Sequence, residues 1–460
     1  MNPKPNTPPP TRVQTRAGRQ VGGRGVGCLG LLLAAGGLGL IDPRVASAQV
    51  AAFDPNSVLA TPTPVQPLQT LDQQSAPNAM NVFQPVGEGA VNSVPQIFRF
   101  GPIQLHPSLD YVFGYGNGIN SSPGNQQASI FQTLSPGLRA DLGKYWALSY
   151  TPSFLFYSSD QFHDAVNQAF VLTGGVEYAD WIFGLSQTAS SISAPTVAAG
   201  GQTDQTLYGT TLSASRGLSS KLSAEIGLSQ DVALASGYND AYAWSTMDWL
   251  SYQFWSRLNA GIGAGGGYVM IQNNSSLPGA GNQDLDQTYE QLQARVNWRA
   301  TDNISFQISG GFEDRQFMTA GSGDSLNPLG SATIQYKPFK DTQISLTAAS
   351  AVSSSTLYLA AQQNQSTSLG LNLNQQLFKK FSLLLGVDYA ETAYSAAVAG
   401  GLAATANRTD DIVSFNIRLS HPFFKRGTWS VFYQYSDDTS NQHGYSFTSN
   451  QTGFALAYRF

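Results

Sequence analysis

The chain has 460 residues, of which 42% are hydrophobic and only 12% are charged, with a mean hydropathy of −0.16. After residue 48 no apolar run approaches the ~18 to 20 residues that a spanning helix requires, which argues against a helical membrane protein. A net charge of −5 and a pI near 5.4, without any basic run, argue against a nucleic-acid partner.

The first 48 residues have the three-part pattern of an export signal. Four arginines precede the uncharged stretch 25–40, namely Arg12, Arg16, Arg19 and Arg24. Ala46 and Ala48 supply the small residues of a signal-peptidase site, so cleavage is predicted after Ala48, with an uncleaved anchor as the alternative. The single cysteine, Cys28, lies in this segment, so the mature chain would contain no disulfide and no cysteine metal ligand.

Residues 49–100 are rich in Pro, Gln, Asn, Ala and Ser and show no regular apolar period. Proline removes a backbone donor from a strand ladder, so this segment is predicted to be a flexible periplasmic extension. It is too short for the folded plug of a receptor-type transporter or for the passenger of an autotransporter.

From residue 101 to 460, apolar and polar residues alternate in segments of about 9 to 15 residues, as in tilted membrane strands. In residues 290–299, one face carries Leu292, Ala294, Val296 and Trp298, and the other carries Gln291, Gln293, Arg295, Asn297 and Arg299. A charge at the bilayer midplane costs about 2 to 4 kcal/mol, so the apolar face is predicted to contact lipid and the polar face to line a wet interior. A soluble β-sandwich is the alternative, but its dry core would not accommodate such arginines.

The segments predict an all-β, antiparallel up-and-down transmembrane barrel of about 18 strands, with 16 as the lower bound. Short links are predicted to be periplasmic turns and fall at residues 141–144, 179–180, 217–221, 300–303, 338–341, 378–380 and 421–427. Longer links are predicted to be extracellular loops and fall at residues 117–127, 191–204, 272–287, 319–327, 395–409 and 437–445. Four tryptophans beside the short links are predicted to form an interfacial girdle, namely Trp181, Trp255, Trp298 and Trp429.

Six charged residues on predicted inner faces are candidates to line a pore, namely Arg295, Arg299, Glu313, Arg315, Asp388 and Arg418. Their mixed sign predicts weak ion selectivity. A ladder of salt bridges across the inner wall is an alternative role, and the two roles are compatible.

The sequence offers no convincing catalytic or metal site. An outer-membrane lipase or protease would need a histidine beside a nucleophile or a carboxylate, and the four histidines form no such constellation. Isolated carboxylates lack the spacing of a metal site, so no catalytic residue, metal ligand or cofactor is predicted.

The end of the chain carries a specific local signal. Phe454, Leu456, Tyr458 and Phe460 alternate with smaller or polar residues, and the last of them is the final residue. This pattern is similar to the segment by which bacterial barrels are recognised for insertion into the outer membrane. It is therefore predicted to be an assembly signal.

Over residues 100–460 the chain resembles the β-barrel porin 2 type of outer-membrane protein. The resemblance rests on the strings WALSYTP (146–152), WSTMDWL (244–250), YEQLQARVNWR (289–299) and VFYQYSD (431–437). It implies a barrel with a pore role, and some similar barrels are associated with exopolysaccharide export. It supplies no catalytic residues.

The expected function is a porin-like channel in the outer membrane for passive passage of small hydrophilic solutes. Exopolysaccharide export, or a structural or surface-receptor barrel without transport, are the alternatives. The expected partners are outer-membrane lipids, the barrel assembly machinery and periplasmic chaperones, with polysaccharide-export proteins and further copies of the chain as additional candidates.

Overall fold

The computed structural model describes residues 98–117, 128–199, 201–272, 285–318, 323–357, 363–378, 380–395 and 407–460. The predicted signal peptide and residues 49–97 of the predicted flexible extension lie outside the described residues. The last residues of that extension, predicted to run to residue 100, include a two-residue strand, Arg99–Phe100. Within these ranges no helix has the length and apolar character needed to cross a membrane.

Eighteen long antiparallel strands form one closed sheet. The strands are β1 (Arg99–Phe100), β2 (Ile103–Asn117), β3 (Ala128–Leu142), β4 (Trp146–Tyr157), β5 (Ala165–Tyr178), β6 (Trp181–Thr196), β7 (Gly201–Gly217), β8 (Leu222–Ala235), β9 (Asp240–Trp255), β10 (Leu258–Gln272), β11 (Gln287–Arg299), β12 (Ile304–Phe317), β13 (Ser325–Phe339), β14 (Thr342–Ser354), β15 (Gln363–Leu377), β16 (Phe381–Ser395), β17 (Arg408–Phe423), β18 (Gly427–Ser440) and β19 (Phe447–Arg459). Each strand from β2 to β18 pairs with the next strand along the chain, and β19 pairs with β2 to complete the ring. The two-residue strand β1 pairs with the start of β2. The predicted fold class and the count of 18 strands are confirmed.

Alternate residues of each strand face opposite sides of the wall, because successive side chains of a strand point in opposite directions. In β11 and β12 the apolar residues Leu292 and Phe312 are 66% and 61% exposed, whereas Glu313 and Arg315 are 1% and 2% exposed. A water-soluble domain has the reverse arrangement. The outer face is therefore apolar, and the inner face is mostly polar.

Short and longer links alternate around most of the ring, as the sequence predicted, but the three consecutive links from β6 to β9 have four residues each. Both the start of β2 and the end of β19 lie at the end with the short links, which we call the short-turn end; the opposite end is the long-loop end. At the short-turn end, Ala179 and Asp180 join β5 to β6 with positive φ values of 46° and 68°. Two such residues are typical of the tight turns that match strand twist.

Several predicted links are wrong in extent because strands continue into them. The predicted loop 191–204 is largely strand, since Pro195 pairs with Gln202 and Thr196 with Gly201. Likewise β18 continues to Ser440, β13 begins at Ser325, and β17 runs to Phe423 within the predicted turn 421–427. Past the lipid-facing apolar residues, both faces of a strand carry polar side chains, so the alternation of apolar and polar residues is lost there. The backbone hydrogen bonds between the strands nevertheless continue.

The seam between the last and the first barrel strand is held by backbone and side-chain contacts. The Phe460 amide donates to the carbonyl of Pro107 at 3.0 Å, and Arg459 Nη1 donates to both carboxylate oxygens of Asp110 at 2.8 and 3.0 Å. On the outer face, the Phe454 ring stacks on Phe113 with centroids 5.5 Å apart. The predicted assembly segment thus forms one side of the closure.

Replacing Phe460 with Ala is expected to lower the yield of folded barrel in the membrane, because the aromatic terminus is the predicted recognition element. Phe460→Tyr keeps an aromatic ring and is the matched control. The folded fraction is measured by the difference in gel mobility between heated and unheated samples. Equal yields of folded barrel for Phe460→Ala and Phe460→Tyr would show that the terminal aromatic ring is not recognised during assembly.

Candidate functional site

The inner wall of the barrel is the candidate functional site, and a chain of polar contacts runs along it on β11 and β12. Gln293 Nε2 donates to Gln291 Oε1 at 3.0 Å, and Gln291 Nε2 donates to Glu313 Oε2 at 2.6 Å. Arg315 Nε donates to Glu313 Oε1 at 2.7 Å. Arg315 Nη1 continues the chain to Gln287 Oε1 at 2.8 Å. We call these five residues the polar ladder.

A second charged group lies on the inner wall nearer the short-turn end. Arg295 Nη2 donates to Glu225 Oε1 at 2.7 Å and to Ser251 Oγ at 2.8 Å, which ties β11 to β8 and β9. The Arg295 guanidinium lies 4.4 Å from the ring centroid of Trp249. Planar guanidinium groups stack on aromatic faces in this way.

Strand β10 presents glycine at four successive inward positions, Gly261, Gly263, Gly265 and Gly267. Neighbouring side chains lie flat over this surface: a Cβ on Gly263 would come within 2.6 Å of the Trp249 ring, and a Cβ on Gly267 within 2.5 Å of Tyr289. Met247 covers Gly265 in the same manner. The missing side chains therefore let Trp249, Met247 and Tyr289 form an apolar strip beside the polar ladder.

The six predicted pore-lining residues all occur at inward positions of their strands, as the register of β11, β12, β16 and β17 shows. Glu313 with Arg315, and Arg295 with Glu225, form ion pairs, which matches the salt-bridge alternative for those positions. Asp388 lies over Gly370, and the Nε of Arg418 is buried without a hydrogen-bond partner. Arg299 is exposed at the short-turn end of β11. Whether these residues contact a solute stays a prediction.

At the long-loop end, described parts of the β6–β7, β8–β9 and β14–β15 links fold inward and make contacts across the ring. Arg408, at the start of β17, donates to the carbonyl of Ala198 in the link between β6 and β7 at 3.4 Å. In the strand order β17 lies across the ring from β6 and β7. The amide of Asn239 donates to the carbonyl of Thr356 at 3.3 Å, which joins the β8–β9 link to the β14–β15 link. Ala198 in the β6–β7 link and Thr356 in the β14–β15 link are 1% and 4% exposed, so these two residues are buried inside the mouth.

Arg408 is the centre of this closure. It is fully buried and binds the Asp410 carboxylate through both Nε and Nη2, with contacts of 2.6 to 3.0 Å. Its guanidinium lies 4.3 Å from the ring centroid of Tyr394 and 3.9 Å from that of Tyr445. We call Arg408, Asp410 and Ala198 the mouth latch.

Two apolar clusters support the inward links. Phe162, from the β4–β5 link, packs against Phe131 and Phe432 on the inner wall. Ala198 packs with Leu357 and Tyr394, and Tyr238 borders the same cluster. Burial, together with the nearby Tyr445, raises the pKa of Tyr238 above its usual value.

Sequence reasoning missed Arg408, Asp410, Glu225 and Trp249 as inner-wall residues. A signal was present for the first two, because opposite charges at positions i and i+2 of a strand share one face. Arg315 with Glu313 shows the same spacing. For Glu225 no local signal exists, since its partner Arg295 is 70 residues away.

A polar group near the long-loop end brings a serine, a histidine and an aspartate together. Ser193 Oγ lies 3.1 Å from His163 Nε2, and Asp204 Oδ1 lies 3.6 Å from the same nitrogen. A proton relay needs the two partners on different ring nitrogens, so this is not a catalytic triad. In the described ranges, no three His, Cys, Asp or Glu side chains are grouped as metal ligands.

No family model and no curated protein matches the chain. Among solved structures, OccAB4 of Acinetobacter baumannii is 13% identical with a TM-score of 0.43, over 77% of this chain and 98% of that chain. The outer membrane protein opdK of Pseudomonas aeruginosa is 11% identical with a TM-score of 0.41, over 78% and 98%. The siderophore receptor PirA of Pseudomonas aeruginosa is 10% identical with a TM-score of 0.40, over 77% and 80%. At these scores the similarities carry no argument about function, and the resemblance to the β-barrel porin 2 type stays a prediction.

Proposed function

We propose that the protein is an outer-membrane pore for passive passage of small hydrophilic solutes. The observation that carries this proposal is the inverted polarity of the closed barrel, with an apolar outer face and a mostly polar inner face. Barrels of about 16 to 18 strands leave an aqueous channel rather than a core filled by side chains. Lipid-facing strands of this length belong to outer-membrane-type barrels.

The charges of the inner wall favour weak ion selectivity, and the narrowed mouth favours small solutes. Its ion pairs place both signs of charge on the same surface, as Arg295 with Glu225 and Arg315 with Glu313 do. A wall of alternating sign gives no strong preference for anions or cations. The inward links at the long-loop end narrow the mouth, which we propose faces the cell exterior.

Single-channel recording in a planar bilayer tests this proposal with the protein extracted from the membranes of an expressing strain. We expect stable open steps in salt, small differences between anion and cation permeability, and block by neutral polymers above a size cutoff. A correctly folded barrel that never conducts would contradict the passive pore. That result would favour an export conduit that opens only with partner proteins, or a barrel without transport.

A further inference from the structure

The inner wall over β8 to β11 carries two surfaces of different chemistry side by side. The strand register places Glu225, Trp249, Gly263 and Gln293 in one row across the four strands. The next row toward the long-loop end contains Met247, Gly265 and Gln291. The apolar strip, which lies over the glycines of β10, therefore runs beside hydrogen-bonding side chains on β11.

Glycine makes the apolar strip flat. The Trp249 ring and the Met247 thioether lie directly on the backbone of Gly263 and Gly265, where any Cβ would collide with them. The Arg295 guanidinium lies over the Trp249 ring and covers part of it, so the planar, weakly hydrated guanidinium itself forms part of the flat surface. Its edge is held by Glu225 and Ser251.

The polar side of the surface has spare hydrogen-bonding capacity. Gln293 donates to Gln291 through Nε2, which leaves its amide oxygen as an acceptor. The Glu225 side chain is 40% exposed although it is paired with Arg295. Trp249, Gln291 and Gln293 are all partly exposed, whereas Glu313 and Arg315 farther along the ladder are buried.

A ligand that fits both surfaces has an apolar face and a hydroxyl-bearing edge. Pyranose rings have this form, since the axial C–H groups pack on flat aromatic surfaces while the equatorial hydroxyls reach amides, carboxylates and guanidinium groups. A free ion would gain nothing from contact with the apolar strip, and an apolar solute would leave the polar groups without hydrogen-bond partners. We propose that Trp249, Met247, Gln291, Gln293, Arg295 and Glu225 form a binding site for a neutral saccharide chain. The proposal deepens the pore function by naming a solute class, and it rests on the inner wall being accessible to solutes.

Isothermal titration of the detergent-solubilised protein with three neutral hexasaccharides, an α-glucan, a β-glucan and a β-mannan, tests the site. We expect saturable binding of at least one of them. Trp249→Ala and Gln293→Ala are each expected to weaken binding roughly tenfold, which corresponds to about 1.4 kcal/mol. Trp244→Ala is the matched control, because Trp244 is on the outer face and 40% exposed, and its loss should leave binding unchanged.

Gln293→Ala removes no packed ring, so it keeps the test valid even if Trp249→Ala fails to fold. No binding of any hexasaccharide, equal loss with Trp249→Ala and Trp244→Ala, or stronger binding of an acidic hexasaccharide would each overturn the proposal. The titration tests the saccharide site, and the conductance measurement tests the passive pore. Binding without conductance would support the site and contradict the passive pore. Conductance without binding would support the pore and contradict the site.

Discussion

Replacing Arg408 with Ala is expected to open the mouth of the barrel and to destabilise it. The substitution removes the guanidinium that joins β17 to the carbonyl of Ala198 and leaves the Asp410 carboxylate buried without its partner. Asp438 is also buried, has no hydrogen-bond partner on either carboxylate oxygen, and lies within electrostatic range of both Asp410 and Arg408. Without Arg408, these two carboxylates would therefore lie near each other without its positive charge. Breaking a buried ion pair by removing one partner costs about 3 to 5 kcal/mol. The single-channel conductance should therefore rise, and the denaturant midpoint should fall.

The control for this prediction is Arg257→Ala. Arg257 pairs with Asp302 at 2.9 Å, but the two side chains are 51% and 84% exposed at the short-turn end. Exposed pairs of this kind contribute about 0 to 1 kcal/mol, so conductance and stability should stay close to wild type. The double variant Arg408→Ala with Asp410→Ala should recover part of the stability but keep the larger conductance, because it removes both members of the buried ion pair and still lacks the contact with Ala198. Unchanged conductance in both Arg408 variants would show that the inward links do not limit the pore.

Replacing Ile308 with Arg is expected to block insertion or strongly destabilise the barrel. Ile308 is 47% exposed on the outer face near the middle of β12, opposite Val296 on β11 and Ala332 on β13. An arginine on the lipid face costs about 2 to 4 kcal/mol at the midplane and only about 0 to 1 kcal/mol near the interface. Phe306→Arg, closer to the short-turn end of the same strand, should therefore cost less.

Gln307→Arg supplies the matched inner-face control, since Gln307 is the immediate neighbour of Ile308 and faces the polar interior. It should insert and unfold as wild type does. Urea unfolding in lipid vesicles measures all three variants. Equal damage from Ile308→Arg and Gln307→Arg would mean that the two faces of β12 have been assigned to the wrong sides.

Much of the barrel was predictable because its determinants are local. Alternation such as Leu292 and Ala294 against Gln293 and Arg295 identifies each strand and its two faces, since a strand has a period of two residues. The cost of burying charge in lipid then decides which face points outward. The limits of the strands were less predictable at the long-loop end, where Pro195 and Thr196 remain paired although the pattern has become polar on both faces.

Part of the candidate site could likewise be predicted from the sequence, and part could not. The inward positions of Arg295, Glu313 and Arg315 follow from the sequence, whereas the flat strip of Trp249 and Met247 depends on glycines of a neighbouring strand. The register across the two-residue link 256–257 places Trp249 opposite Gly263 and Met247 opposite Gly265, and the pattern of either strand alone does not specify this pairing.

By itself, the sequence determined an all-β antiparallel barrel of about 18 strands and the two faces of a strand wherever apolar and polar residues alternate, because alternation and the penalty for charge in lipid act within one strand. Only the tertiary structure decided which inward residues meet, and that described parts of several links at one end fold into the mouth. Contacts such as Arg408 with Ala198, 210 residues apart, and Arg459 with Asp110, 349 residues apart, exist only after the ring has closed. No local pattern specifies such a contact, since it depends on the positions of every strand between its two partners.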